Sequence, residues 1–190
     1  DNVFTLGGFA AALLGLTVIF LRLKQSRQEP LTFSVVIRRP HLVQSMVQLG
    51  VFLYWGTAWS SVWSQMPLIT AQICFAYGCE ALFSWRRFGH WRFGFGPFPV
   101  VLSTNLFLWF VDDYFILQFI MIGLAYWSRD ALCVERDGRR KHLFNPSAFA
   151  LGVAAIAVVI FRAPEITHGE NIAQTLGHPE YAYFWLFLMG

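Results

Sequence analysis

Long apolar runs, separated by short polar or charged segments, cover most of this chain. Residues 3–23 form the first, with no charge before Arg22. About 20 apolar residues suffice to cross roughly 30 Å of hydrocarbon as a helix. Further runs at 42–63 and 67–85 predict a second and a third span. Pro67 suits the first turn of the third helix, where a missing N–H costs nothing. The run 97–110 has only 14 residues before Asp112 and Asp113. At helical rise that is about 21 Å, too short for a straight crossing. It reads as a tilted helix or a half-helix buried against its neighbours. A fifth span covers 114–128 and can continue through Cys133, a sixth covers 145–161, and a seventh starts near Tyr181.

The charges sort the connectors. Loop one carries Arg22, Lys24, Arg27, Arg38 and Arg39, loop three Arg86, Arg87 and Arg92, and loop five Arg129, Arg136, Arg139, Arg140 and Lys141. Loop two has no base, loop four has Asp112 and Asp113, and loop six has Glu165, Glu170 and Glu180 with only Arg162 at its edge. Basic and base-poor loops alternate without a break, the positive-inside pattern. Odd loops therefore face the cytoplasm and the amino end faces outward.

Composition agrees. Of 190 residues, 56% are hydrophobic and 13% charged, against about 25% charged in a soluble domain. The expected fold is all-α: a polytopic transmembrane helical bundle of about seven spans, one short or broken, forming a single domain over 1–190 that reads as a fragment of a longer chain. The net charge of +3 lies in bilayer-flanking loops that meet anionic headgroups. No soluble basic face with aromatic platforms offers itself to nucleic acid. Cys74, Cys79 and Cys133 form no CxxC pair or zinc spacing, so no metal site is expected. His90 and His142 share the inner side but lie in loops, which argues against haem ligation.

The segment richest in chemistry is Asp137-Gly-Arg-Arg-Lys-His-Leu-Phe-Asn-Pro-Ser-Ala-Phe-Ala-Leu-Gly152. Asn145 can cap a helix, Pro146 fits its first position, and Phe144 can staple onto Phe149. Ser147, Ala148, Ala150 and Gly152 are small enough for close approach of a helix or a cofactor. Two readings follow. One is an anion or cofactor-phosphate site at the mouth of this helix, where free N–H groups and bases meet. The other is a well-capped membrane helix with ordinary cytoplasmic bases.

The stretch Lys141-His-Leu-Phe-Asn-Pro-Ser-Ala-Phe149, preceded by Leu102-Ser-Thr-Asn-Leu-Phe107 and a helix into the basic loop, resembles the RnfD/NqrB family. These are membrane subunits of the Rnf complex and of the sodium-pumping NADH:quinone reductase. The resemblance covers roughly residues 95–165. It implies a bacterial inner-membrane location, electron transfer to quinone coupled to ion movement, partner subunits with soluble redox domains, and a flavin, FMN or riboflavin. It places the flavin near Arg140, Lys141, His142, Asn145 and Ser147. The family attaches flavin to Thr in a Ser-Gly-Ala-Thr segment, which this chain lacks. Thr167 and Thr175 occupy the right region outside that motif, so covalent attachment within this chain is not expected. The family's fold also resembles urea-transporter bundles with broken helices, which line binding cavities.

Other polar positions carry plainer expectations. Asn105, on the short segment, is the expected cavity-lining residue. Glu80 is placed to pair with Arg86 or Arg87. Gln44 and Gln48 share a helix face and suit interhelical hydrogen bonds. The stretch 85–97, mixing aromatics, bases and glycines, reads as an interfacial anchor, with a quinone or pigment contact as the sharper alternative. Two rival functions use the same bundle: a small-solute permease with a polar cavity near Asn105, and a structural subunit of a respiratory or photosynthetic complex.

Overall fold

A computed structural model describes residues 2–26, 32–136 and 139–175. The chain is mostly helical. In order the elements are α1 (Asn2–Ser26), β1 (Thr32–Val35), α2 (Arg39–Ala58), α3 (Ser61–Phe88), β2 (His90–Phe93), α4 (Pro97–Phe107), α5 (Phe115–Ala131), β3 (Cys133–Arg136), β4 (Arg139–His142), α6 (Pro146–Ile160) and α7 (Gly169–Thr175). Among the described residues, two helices are long and apolar enough to cross a bilayer, α3 and the stretch Phe9–Ser26 of α1. The expected seventh span, from Tyr181, lies outside the described residues.

Three sequence expectations change. The fold is not purely helical: β1 and β2 pair in parallel, Thr32 opposite His90, and β3 and β4 pair antiparallel, Cys133 opposite His142. Backbone that leaves a helix must satisfy its N–H and C=O groups elsewhere, and these connectors do so on one another. The second turn falls at Trp59 and Ser60, not at 64–66. Trp59 is extended there, and the Trp63 indole donates to the Gly56 carbonyl at 2.9 Å, drawing α2 and α3 into a tight hairpin. Pro67 consequently sits inside α3. The hydrogen bond it forfeits is offset by burial of its neighbours Gln65, Leu68 and Ile69.

Helix α4 is the hub. Its 11 residues rise about 16 Å, half the hydrocarbon thickness, as the short apolar run predicted. It packs against α2, α3, α5 and α6. Pro97, Pro99 and every residue from Val101 to Asn105 are buried. Around it Phe52 and Trp55 of α2, Val62 and Ile69 of α3, and Ile122 and Tyr126 of α5 form one apolar cluster.

Several amide side chains are buried beside this apolar cluster, and many large apolar side chains lie on the outside. Gln48, Gln65, Gln72, Asn105 and Gln118 are buried, whereas Val43, Leu53, Ile120, Ile156, Val159 and Phe161 face outward, the last at 78% exposure.

The connectors also sort by side. β1 joins β2, and the Val36 amide continues the pairing to Phe93 O at 2.8 Å. Gly94 permits this approach, because a Cβ there would run into Val36 O. At the opposite ends of the helices, Val111 N–H donates to Ile166 O (2.9 Å) and His168 N–H to Trp109 O (2.7 Å). Trp59 packs its ring on His168, and Gln65 donates to Asp112. Basic connectors thus gather at one end and base-poor connectors at the other.

Candidate functional site

The basic connectors enclose a cavity of about 460 Å³. Five segments build its charged wall. Arg38 and His41 come from the start of α2, Arg87 from the end of α3, Arg92 from β2, Arg129 and Asp130 from the end of α5, and His142 from β4. Glu80 is its other carboxylate, and Phe83, Phe88, Phe93 and Val100 supply apolar wall. The β1–β2 pairing brings Arg38 and His41 beside Arg92. Pairing of Cys133 with His142 turns the chain back toward Arg129.

Glu80 does not pair with Arg86 or Arg87. Its carboxylate accepts from Arg129 Nη1 at 2.5 Å, because α3 turns Glu80 toward α5, away from its own basic end. Among the described residues, Arg38, Arg87 and Arg92 form no ion pair with a carboxylate. The Arg92 guanidinium lies 3.7 Å from the Phe88 ring centroid and that of Arg87 5.2 Å from the same ring. The ring face attracts both cations and neutralises neither.

Both wall histidines are shifted toward the neutral form. Burial lowers the pKa of His41 below its ordinary value of 6.5, and the nearby Arg38 lowers it further. Burial likewise lowers that of His142, against a hydrogen bond to the Arg129 carbonyl, with Arg129, Arg87 and Arg38 adding to the depression. His142 Nδ1 stands 3.0 Å from that carbonyl. A carbonyl only accepts, so Nδ1 carries the proton and Nε2 is the free lone pair.

The helix at the mouth is α6, capped as expected. Asn145 Oδ1 accepts the amides of Ser147 (3.1 Å) and Ala148 (3.4 Å) and the Ser147 hydroxyl (2.8 Å). The Phe149 amide donates to Asn145 O, and Phe144 stacks on Phe149. Pro146 has no N–H. The first turn therefore keeps no free amide for an anion. His142, Asn145 and Ser147 do stand on the cavity wall, but the donors left over are arginines. Arg140 and Lys141 place their backbone in β4, and their side chains lie outside the described residues.

Asn105 is not on this wall. It is fully buried, donating to Gln72 Oε1 at 2.6 Å and to Val101 O at 2.8 Å. Gln48, as expected of an interhelical bond, donates to Ser103 Oγ at 2.7 Å, and Gln44 reaches the cavity wall. Thr167 closes a local turn, donating to Pro164 O. The side chain of Thr175 lies outside the described residues. Sequence reading assigned Arg38 and Arg129 to topology alone, Arg87 also to a pair with Glu80, and Arg87 and Arg92 to an interfacial anchor. Their convergence depends on strand pairing that four-residue segments do not announce. No family model matches the chain, and neither a curated protein nor a solved structure is similar to it.

Proposed function

We propose that this chain is a polytopic subunit of a bacterial inner-membrane electron-transport complex, similar to the RnfD/NqrB family and linked to a flavin. The observation that carries the reading is the sorting of connectors. Basic ones meet at one end and base-poor ones at the other, as alternate crossings with an outward amino end require. The outward apolar faces and inward amides of α2–α5 support the same surroundings. The cavity fits a flavin bearing a phosphate: its volume lies in the range of cofactor pockets, and it offers arginines beside phenylalanine walls. His142 of β4 and Asn145 and Ser147 at the start of α6 stand on its wall. Electron flow to quinone then needs partner subunits with soluble redox domains. A small-solute permease calls for an open polar cavity at Asn105, and the burial of Asn105 against Gln72 favours the electron-transport reading.

The test is the absorption spectrum of the chain purified from membranes in detergent. Flavin bands at about one flavin per chain are expected. A colourless preparation that releases no flavin on denaturation rejects the flavin link, and a chain that stays dispersed without detergent rejects the membrane reading.

A further inference from the structure

We infer that the cavity between β2, α3, α5 and α6 binds a phosphate ester, with Arg38, Arg87 and Arg92 holding the phosphate and the phenylalanine-lined wall receiving the organic group. Positive-inside topology explains why these bases lie at one end of the bundle. It does not explain their convergence. A base beside the bilayer is satisfied by snorkelling to water or headgroups, and that requires no common cavity. Here four guanidinium groups and two imidazoles face two carboxylates. One of those carboxylates, Glu80, is engaged by Arg129.

Two guanidinium groups beside one phenyl ring repel each other, and an anion between them relieves the repulsion. The Arg92 guanidinium carbon lies over the Phe88 ring and its Nε donates to His90 Nε2 at 3.5 Å, which leaves the two terminal nitrogens to face an anion. Arginine edges match phosphate oxygens in pairs, which a lysine ammonium does not. The N-terminal end of α6 adds its dipole to the same field. A volume of about 460 Å³ far exceeds the need of a bare phosphate, and Phe83, Phe88 and Phe93 offer the remainder to an apolar or aromatic body. A soluble cofactor phosphate and a phospholipid headgroup share this chemistry.

The experiment uses the full chain in detergent and in phosphatidylcholine nanodiscs. FMN and riboflavin, which differ by the phosphate alone, are titrated by fluorescence, with inorganic phosphate as competitor. Phosphatidylglycerol retained through purification is measured in parallel. FMN is expected to bind at least about tenfold more tightly than riboflavin, as charge-assisted hydrogen bonds require, and to be displaced by inorganic phosphate. The pair Arg87→Gln and Arg92→Gln removes that advantage, and Arg22→Gln, on α1, does not. If retained phosphatidylglycerol is displaced by phosphate and lost in the double variant, the site holds and its source is a headgroup. Equal binding of FMN and riboflavin, with no retained anionic lipid, overturns the inference. So does a folded double variant that binds as the unmodified chain. Should the glutamine pair not fold, the comparison of FMN with riboflavin on the unmodified chain decides by itself. A chain isolated colourless that still binds inorganic phosphate through these arginines rejects the flavin reading and keeps the phosphate site. A flavin-loaded chain indifferent to the phosphate does the reverse.

Discussion

Arg129 Nη1 donates to Glu80 Oε2 at 2.5 Å across 49 positions of sequence, fastening the end of α5 to α3 beneath the cavity. Both side chains are mostly buried, at 26% and 14% exposure. Removing one partner strands the other charge, which costs more than the pair contributes. Glu80→Ala is expected to destabilise the bundle by about 3 kcal/mol, the low end for a broken buried pair, because Arg129 keeps some access to water. It also removes a carboxylate from the wall, so sulfate affinity should rise. Thermal unfolding in detergent with sulfate titration checks both signs, and a drop in sulfate affinity contradicts the assignment.

The Asn145 cap is separable from anion binding. Asn145→Ala should lower stability by about 1 kcal/mol, and Asn145→Asp should keep the cap. Asn145→Ala should not lower sulfate affinity more than a few-fold, because the anion is held by arginines and not by the α6 amides, whereas Asn145→Asp adds a carboxylate to the wall and should weaken sulfate binding. A large loss of anion binding in Asn145→Ala at unchanged fold would return the site to the helix mouth.

The depressed pKa values of His41 and His142 set a pH response. In the folded chain these groups bind protons less readily than in the unfolded chain. Their contribution to stability is complete above the ordinary value of 6.5 and is lost as pH falls below it. His168 on the opposite end, lowered by burial, acts in the same direction. A dianion in the cavity raises the two wall values again. Sulfate, a dianion throughout this range, should bind more tightly at pH 5.5 than at pH 7.5 and restore part of the lost Tm. Replacing both wall histidines with glutamine should flatten the sulfate response, and an unchanged slope in that variant excludes them as its source.

Gly94 ties loop one to loop three. Gly94→Ala places a methyl against the Val36 carbonyl, and backbone cannot yield as a side-chain tip can. A loss of about 1–3 kcal/mol is expected, as for overpacking. Sulfate binding should weaken along with it, since Arg38 and His41 depend on β1 for their position. Full anion affinity in a destabilised Gly94→Ala chain would show that they do not.

Within the bundle, Asn105 Nδ2 donates to Gln72 Oε1, while Asn105 Oδ1 and Gln72 Nε2 find no partner among the described residues. Asn105→Leu leaves Gln72 Oε1 buried without its donor, at a cost of about 1–3 kcal/mol. The double change with Gln72→Leu should recover part of it in a thermal double-mutant cycle. Strict additivity would mean that the two side chains do not interact.

The sequence by itself determined the mostly helical character of the chain, the short helix α4, and the cap of α6. These are local or one-dimensional properties: hydrocarbon length and the reach of Asn145 to the next two amides. Pro67 misled because a helix-start residue and a tolerated interior proline look alike until packing is known. The tertiary structure decided which charges meet. Glu80 faces Arg129, not its sequence neighbours, because the rotation of α3 against α5 is fixed by interior side chains. Arg38 reaches Arg92 only through a parallel pairing separated by two helices. Distance between side chains on different elements is set by packing, and no spacing along a chain encodes it.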